Sequence, residues 1–189
     1  MAREFLLIAR KAPSGAGLIN LEDLYNSGRF HIICQFIINC IWVSNNLREN
    51  TIVNISLNGP NNPPKLISIN SKELKDFYED EKSIAKVVKD VISGKKVFGV
   101  SLSSQSFEGF LKERKNKNEI FYLDKKGENV KVLKNSKNPL FVVGDYIGFS
   151  KNQVRFFRNI GARGLSLGKT VLFASQCPVI LHYEMDKSF

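Results

Sequence analysis

Few residues in this chain of 189 carry side chains that do covalent or metal chemistry: three cysteines (Cys34, Cys40, Cys177) and two histidines (His31, His182). The cysteine count is odd and no CxxC occurs, which argues against both a disulfide framework and a zinc site. Reduced thiols and no bound metal are therefore expected. Cys177 and His182 lie five residues apart, more than one helical turn, so on a helix they are offset around the axis and make a poor thiol–imidazole pair. His182 is expected instead as a hydrogen-bonded interface residue. Gly168-Lys169-Thr170 matches the end of a GxxxxGK[ST] phosphate loop, but the first glycine of that pattern falls on Arg163, so the loop is too short to wrap phosphates. No GxGxxG follows the first apolar segment, so a dinucleotide site has no support.

The remaining candidates are glycine-bearing turns in the C-terminal third. Phe141-Val142-Val143-Gly144-Asp145, Ser166-Leu167-Gly168 and the approach to Ala174-Ser175-Gln176-Cys177 each follow a short apolar segment. Glycines at the carboxyl ends of parallel strands let backbone groups approach a ligand, and open α/β sheets bind ligands at that end.

Those turns need elements to position them. Arg3–Ala9, Thr51–Leu57, Lys65–Ile69 (a short edge strand), Val97–Leu102, Ile120–Leu123, Leu140–Val143 and Leu165–Leu167 read as strands by their short apolar or β-branched runs. Phe30–Leu47 reads as one long, mostly buried helix containing Trp42. Apolar residues at 84, 87, 88, 91 and 92 predict a helix over Asp80–Ile92. Ser106–Arg114 and Ser150–Ile160 read as helices with serine caps. Leu172–Met185 reads as a final helix with Pro178 in its first turn. Lys115–Asn118 and Lys125–Lys137 read as charged surface loops. Strands alternating with helices predict an α/β fold with a largely parallel sheet, in a single domain spanning 1–189.

The formal net charge is +10 and it is unevenly placed. Residues 82–169 hold 19 of the 28 basic side chains and 7 of the 18 acidic ones, while the flanking stretches are each net −1. A single-signed field of this kind attracts polyanions, which points to nucleic acid. Lys112, Arg114, Lys115, Lys125, Lys126, Arg155 and Arg158 are the candidates for phosphate contacts. No apolar run approaches the roughly 18 residues of a membrane span. Met1–Ala9 lacks the features of a signal peptide, so a cytoplasmic protein is expected.

Several motifs, taken in order, resemble one family. Arg3-Glu4-Phe5-Leu6-Leu7 is followed by Lys11-Ala12-Pro13, then Gly28-Arg29, Asn39 to Trp42, and Leu47-Arg48. Next come Leu57-Asn58-Gly59-Pro60 with Pro63-Pro64-Lys65, Val143-Gly144-Asp145 with Gly148, and Ser166-Leu167-Gly168. Leu172 through Ala174-Ser175-Gln176-Cys177, His182 and Glu184-Met185-Asp186 close the series. Over nearly its whole length the chain resembles the archaeal tRNA pseudouridine-54 N1-methyltransferases of the SPOUT superfamily. It departs from their usual pattern at His31, Lys169, Gln176, Tyr183 and Met185.

That resemblance implies a SPOUT-type α/β knot fold, with a C-terminal deep trefoil knot over about residues 120–189, and a homodimer packed through the knot. It implies S-adenosylmethionine as cofactor, contacted by Leu123, Gly144, Leu167, Gly168, Leu172 and Cys177, and tRNA as partner. Methyl transfer from a sulfonium mainly requires alignment, plus an acceptor for the pseudouridine N1 proton. Asp145 and Cys177 are the candidates for that chemistry, and Arg29 and Asn58 are the polar residues expected beside an outturned base. The alternatives are another RNA substrate, such as rRNA, or RNA binding without catalysis.

Overall fold

The computed structural model describes residues 2–187. At its centre lies β1 (Arg3–Ala9), every residue of which is buried. It pairs in parallel on both sides, with β4 (Thr51–Leu57) and with β8 (Pro139–Gly144). A central parallel strand is covered on both faces, so its sequence is a continuous apolar run rather than an alternation. Glu4 interrupts that run and is compensated. Its carboxylate accepts from Arg114 Nε at 3.1 Å, from Asn54 Nδ2 at 3.0 Å and from Asn118 Nδ2 at 3.3 Å. A buried carboxylate is tolerable when it is paired and hydrogen-bonded in this way. Arg114, expected on phosphate, is thus committed to holding its helix against the sheet.

Between β1 and β4 the chain forms helix α1 (Phe30–Ile41) and a small hairpin, β2 (Trp42–Val43) with β3 (Asn46–Leu47). After β4 come β5 (Lys65–Asn70), α2 (Glu81–Ile92), β6 (Val100–Ser103), α3 (Phe107–Arg114) and β7 (Glu119–Asn129). β8 is followed by α4 (Lys151–Asn159), β9 (Arg163–Ser166) and α5 (Cys177–Asp186). The main sheet runs β6-β5-β4-β1-β8-β7-β9, parallel from β4 to β9, with β5 and β6 added antiparallel. One face carries a core that includes Phe5, Phe36, Ile37, Val88 and Leu181, contributed by β1, α1, α2 and α5. The other face packs Leu6, Ile8, Phe107, Phe110 and Phe157 beneath α3 and α4.

Three helix starts are those the sequence predicts. Asp80, Ser106 and Ser150 each accept a backbone N–H from the first turn of α2, α3 and α4. Four expectations are corrected. The helix from Phe30 stops at Ile41, because Ser44-Asn45 forms a two-residue turn and folds Trp42–Leu47 into the hairpin. Lys65–Asn70 is not an edge strand, since β6 covers it. The charged stretch after Leu123 is not a plain loop: β7 continues to Asn129 and a 3₁₀ turn follows over Val130–Asn135. The last helix begins at Cys177, preceded by an irregular segment and a 3₁₀ turn at Ala174–Gln176, with Pro178 in its first turn.

β7 pairs with β9 twice. Leu123 and Glu128 both face Leu165, so residues 124–127 bulge outward between the two contacts. A Cβ at Gly127 would lie 2.4 Å from the Gly164 carbonyl carbon and the Leu165 nitrogen, so only glycine permits this approach.

Candidate active site

Leu123, the last residue of β7 before its bulge, Val143 and Gly144 at the end of β8, and Leu165 on β9 stand on three adjacent parallel strands and line one cleft. The irregular segment after β9 folds across it, adding Leu167, Gly168, Val171 and Leu172, and Cys177 closes the wall at the start of α5. The cleft is small, about 200 Å³, and largely apolar. Its floor is tight: a Cβ at Gly144 would lie 3.1 Å from Gly148 Cα and 3.3 Å from the Phe149 ring. Gly168 has φ +130°, a conformation that L side chains rarely adopt. The structure thus gathers Leu123, Gly144, Leu167, Gly168, Leu172 and Cys177, all expected at the cofactor, around one cleft. A largely apolar lining with backbone exposed at glycines suits the adenine ring of S-adenosylmethionine.

A second cleft of about 680 Å³ adjoins the first. Asp145, Gly148, Val171, Leu172 and Ala174 belong to both, and Arg29, His31 and Tyr146 line the larger one alone. Arg29 therefore reaches the site. Asn58 does not line either cleft: its amide turns back to donate to the Ser56 carbonyl and hydroxyl, both at 3.0 Å. Of the basic residues expected on phosphate, Lys125 stands at the rim of the smaller cleft and Arg158 is engaged by the Tyr122 hydroxyl at 3.3 Å.

Asp145 is held from two directions. One carboxylate oxygen accepts the Arg10 N–H at 2.7 Å, and the other accepts the Ile147 N–H at 2.9 Å. A carboxylate offers about four acceptor sites, so capacity remains for a further proton or donor. Cys177 behaves differently. Burial pushes its thiol up to about 11, and its S–H donates to the Phe173 carbonyl at 3.4 Å. It keeps its proton at neutral pH and is neither a ready base nor a ready nucleophile.

His182 is not an interface residue in this fold. It is buried against Phe5, with Nδ1 at 2.8 Å from Arg3 Nη1 and Nε2 at 2.8 Å from the Cys40 carbonyl. Arg3 is always a donor, so Nδ1 accepts and the ring proton resides on Nε2. Among the described residues no cluster of metal-ligating side chains occurs, and no helix is long and apolar enough to cross a membrane.

The family model described as "Putative SAM-dependent RNA methyltransferase" matches residues 2–189. The chain belongs to that family. Among relatives of this methyltransferase, a tRNA (pseudouridine(54)-N(1))-methyltransferase of Methanococcus aeolicus is 33% identical, over 98% of each chain. A protein of Photobacterium profundum named "Putative pseudouridine methyltransferase" is 30% identical over 97% of this chain and 98% of its own. Among solved structures, Archaeoglobus fulgidus Nep1, bound to S-adenosylhomocysteine, superposes with a TM-score of 0.64 at 9% identity, covering 99% of this chain and 97% of its own. That likeness bears out the SPOUT-type α/β fold with its mostly parallel sheet, and the family's cofactor is the one the smaller cleft fits.

Sequence reasoning named Arg29, Asp145 and Leu172 of the larger cleft but missed Tyr146. Nothing in local spacing reports that the loop after β8 meets the segment before α1.

Proposed function

We propose that this methyltransferase acts on tRNA, moving a methyl group to N1 of pseudouridine 54 in the T loop. The single observation that carries the reading is the shared wall: a small apolar, glycine-floored cleft opens sideways into a larger one bearing Arg29, with Asp145 between them. The names of the relatives supply the nucleotide, and the basic stretch 82–169 suits a polyanion.

S-adenosylmethionine supplies a methyl group already activated on a sulfonium. The chain orients the partners. Leu123, Gly144, Leu167, Gly168 and Leu172 hold the cofactor, with Cys177 as wall. Arg29 binds the RNA beside the accepting base, which turns out of its stack to enter. Asp145 accepts the N1 proton, held in place by the Arg10 and Ile147 amides. Asn58 acts from the neighbouring loop rather than on the base.

We further place residues 1–189 in one domain and its last third in a trefoil knot. Support comes from Leu133, in the turn after β7, which shares a core with Leu181 and Met185 of α5. A homodimer built on α5 is supported by Val171, Phe173, Val179 and Tyr183, which are 80, 74, 51 and 60% exposed. Large apolar side chains grouped this way mark an interaction surface. The three free thiols suit the cytoplasm.

The test is transfer of a labelled methyl group to matched T-loop RNAs carrying pseudouridine or uridine at the target position. Label on the pseudouridine RNA alone is the expected result. Label on neither, or on both, refutes the assignment. The Photobacterium relative's name carries no position, so mapping the methylated nucleotide in whole tRNA and rRNA decides the alternative of another RNA.

A further inference from the structure

Arg29, His31 and Tyr146 line the larger cleft, and with Tyr25 beside them they make four planar groups in series. His31 stacks on Tyr25 with centroids 5.3 Å apart and planes at 20°. The Arg29 guanidinium carbon lies 4.7 Å from the Tyr25 ring centroid and 4.8 Å from that of Tyr146. Tyr25 and Tyr146 are 55 and 49% exposed. Among the described residues Arg29 forms no ion pair, so its charge is not neutralised within the protein. His31 Nδ1 is buried and has no hydrogen-bond partner. A buried polar atom of this kind takes a partner from the cleft, an ordered water or a ligand group.

Tyr25 is flanked by His31 and Arg29 and holds the guanidinium in place, while Tyr146 meets Arg29 and no other ring among the described residues, so its exposed face and the unneutralised guanidinium offer a base a π face and the backbone a charge, the combination that binds unpaired nucleic acid. The accepting base must sit at the shared wall, next to the cofactor cleft. Arg29, His31 and Tyr146 line the larger cleft beyond those shared residues, which leaves room beside the accepting base for a further nucleotide. We propose that Tyr25, Arg29 and Tyr146, with His31, form a subsite for a second unpaired nucleobase, adjacent in the RNA to the one methylated. Arg29 bridges to its phosphate and His31 Nδ1 accepts from its edge. This rests on the reading of the clefts as an RNA methyltransferase site.

The test uses RNA with 2-aminopurine at single positions flanking the target, read by fluorescence quenching, alongside methyl-transfer kinetics and calorimetry of S-adenosylmethionine. Wild-type protein quenches one flanking position. Tyr146→Leu and Tyr25→Leu lose the quenching and raise the RNA KM about 5- to 100-fold with kcat little changed, the scale of one lost base stack. Tyr146→Phe and Tyr25→Phe keep both, and cofactor affinity is constant throughout, which separates stacking from misfolding. Unchanged quenching and KM in the Leu variants overturn the subsite. If wild-type protein methylates no T-loop RNA, the substrate reading fails separately. The subsite is then judged on a labelled single strand alone, where quenching lost in the Leu variants supports it and no quenching by wild type overturns it.

Discussion

Acid should loosen the helix that closes the cofactor cleft, and His182 sets the amount. The folded chain needs this imidazole neutral, because Nδ1 accepts from Arg3 and a proton there would face a guanidinium. Burial, with Arg48 and Arg3 nearby, drives its pKa from 6.5 to about 4. A depressed folded-state pKa means that the unfolded chain takes up the proton first. The stabilisation is therefore complete above pH 6.5 and is lost as pH falls toward 4. At 1.36 kcal/mol per unit, the full loss is about 3 kcal/mol, of which about 2.5 kcal/mol is felt by pH 4.5. Urea unfolding at pH 7.0 and 4.5, for wild type and His182→Gln, isolates the effect. The glutamine variant is less stable at pH 7, by about 1–3 kcal/mol for its disturbed hydrogen bonds, but its further loss on acidification is smaller than that of wild type by about 2.5 kcal/mol. Equal losses in the two proteins would show that His182 is not held neutral.

Other perturbations separate scaffold from chemistry. Gly127→Ala should force β7 from β9, costing about 1–3 kcal/mol in thermal unfolding and weakening S-adenosylmethionine binding by at least about tenfold in calorimetry. Asp145→Asn should lower kcat by about 10²- to 10⁴-fold with cofactor affinity kept, whereas Cys177→Ala should keep kcat within about threefold, because a thiol that retains its proton supplies no base. Single-turnover methyl transfer decides between the two roles. Val179→Asp with Tyr183→Glu should halve the mass seen by light scattering. A wild-type mass equal to one chain sinks the dimer before the variants are made.

What the sequence made legible was local. The caps at Ser106 and Ser150 were readable, since each is a side chain answering its own helix's first turn. β1 was readable because burial on both faces leaves a continuous apolar run. Gly144 was placed correctly at the end of its strand by the same local chemistry, while β9 stops at Ser166 and Gly168 lies in the segment beyond it. The Trp42–Leu47 hairpin was not, because its apolar spacing also fits a helix and only the Ser44-Asn45 turn distinguishes the two. Arg114 looked like a phosphate contact, and its true partner, Glu4, stands 110 residues away in sequence. Neither residue's neighbours in sequence report that pairing. The meeting of Tyr25, Arg29 and Tyr146 is hidden for the same reason.

Strand order explains which family motifs touch the clefts and which act through others. The order β4-β1-β8-β7-β9 puts β1 between Asn58 and the cofactor strands. With about 4.8 Å between neighbouring strands, the end of β4 stands roughly 10 Å from the end of β8, too far for Asn58 to reach the base while its amide is turned to Ser56. Its loop nevertheless has a route to the site. Gly59 N–H donates to the Ala12 carbonyl at 2.9 Å, and Ser14 donates to Pro60 through its N–H at 3.0 Å and to Asn61 through its hydroxyl at 2.7 Å. The loop after β1 is thereby latched to the Asn58-Gly59-Pro60 motif, and that loop begins at Arg10, whose N–H holds Asp145. A motif that carries the family resemblance thus supports the carboxylate at the shared wall through backbone, which accounts for a residue order that reaches the chemistry without touching it.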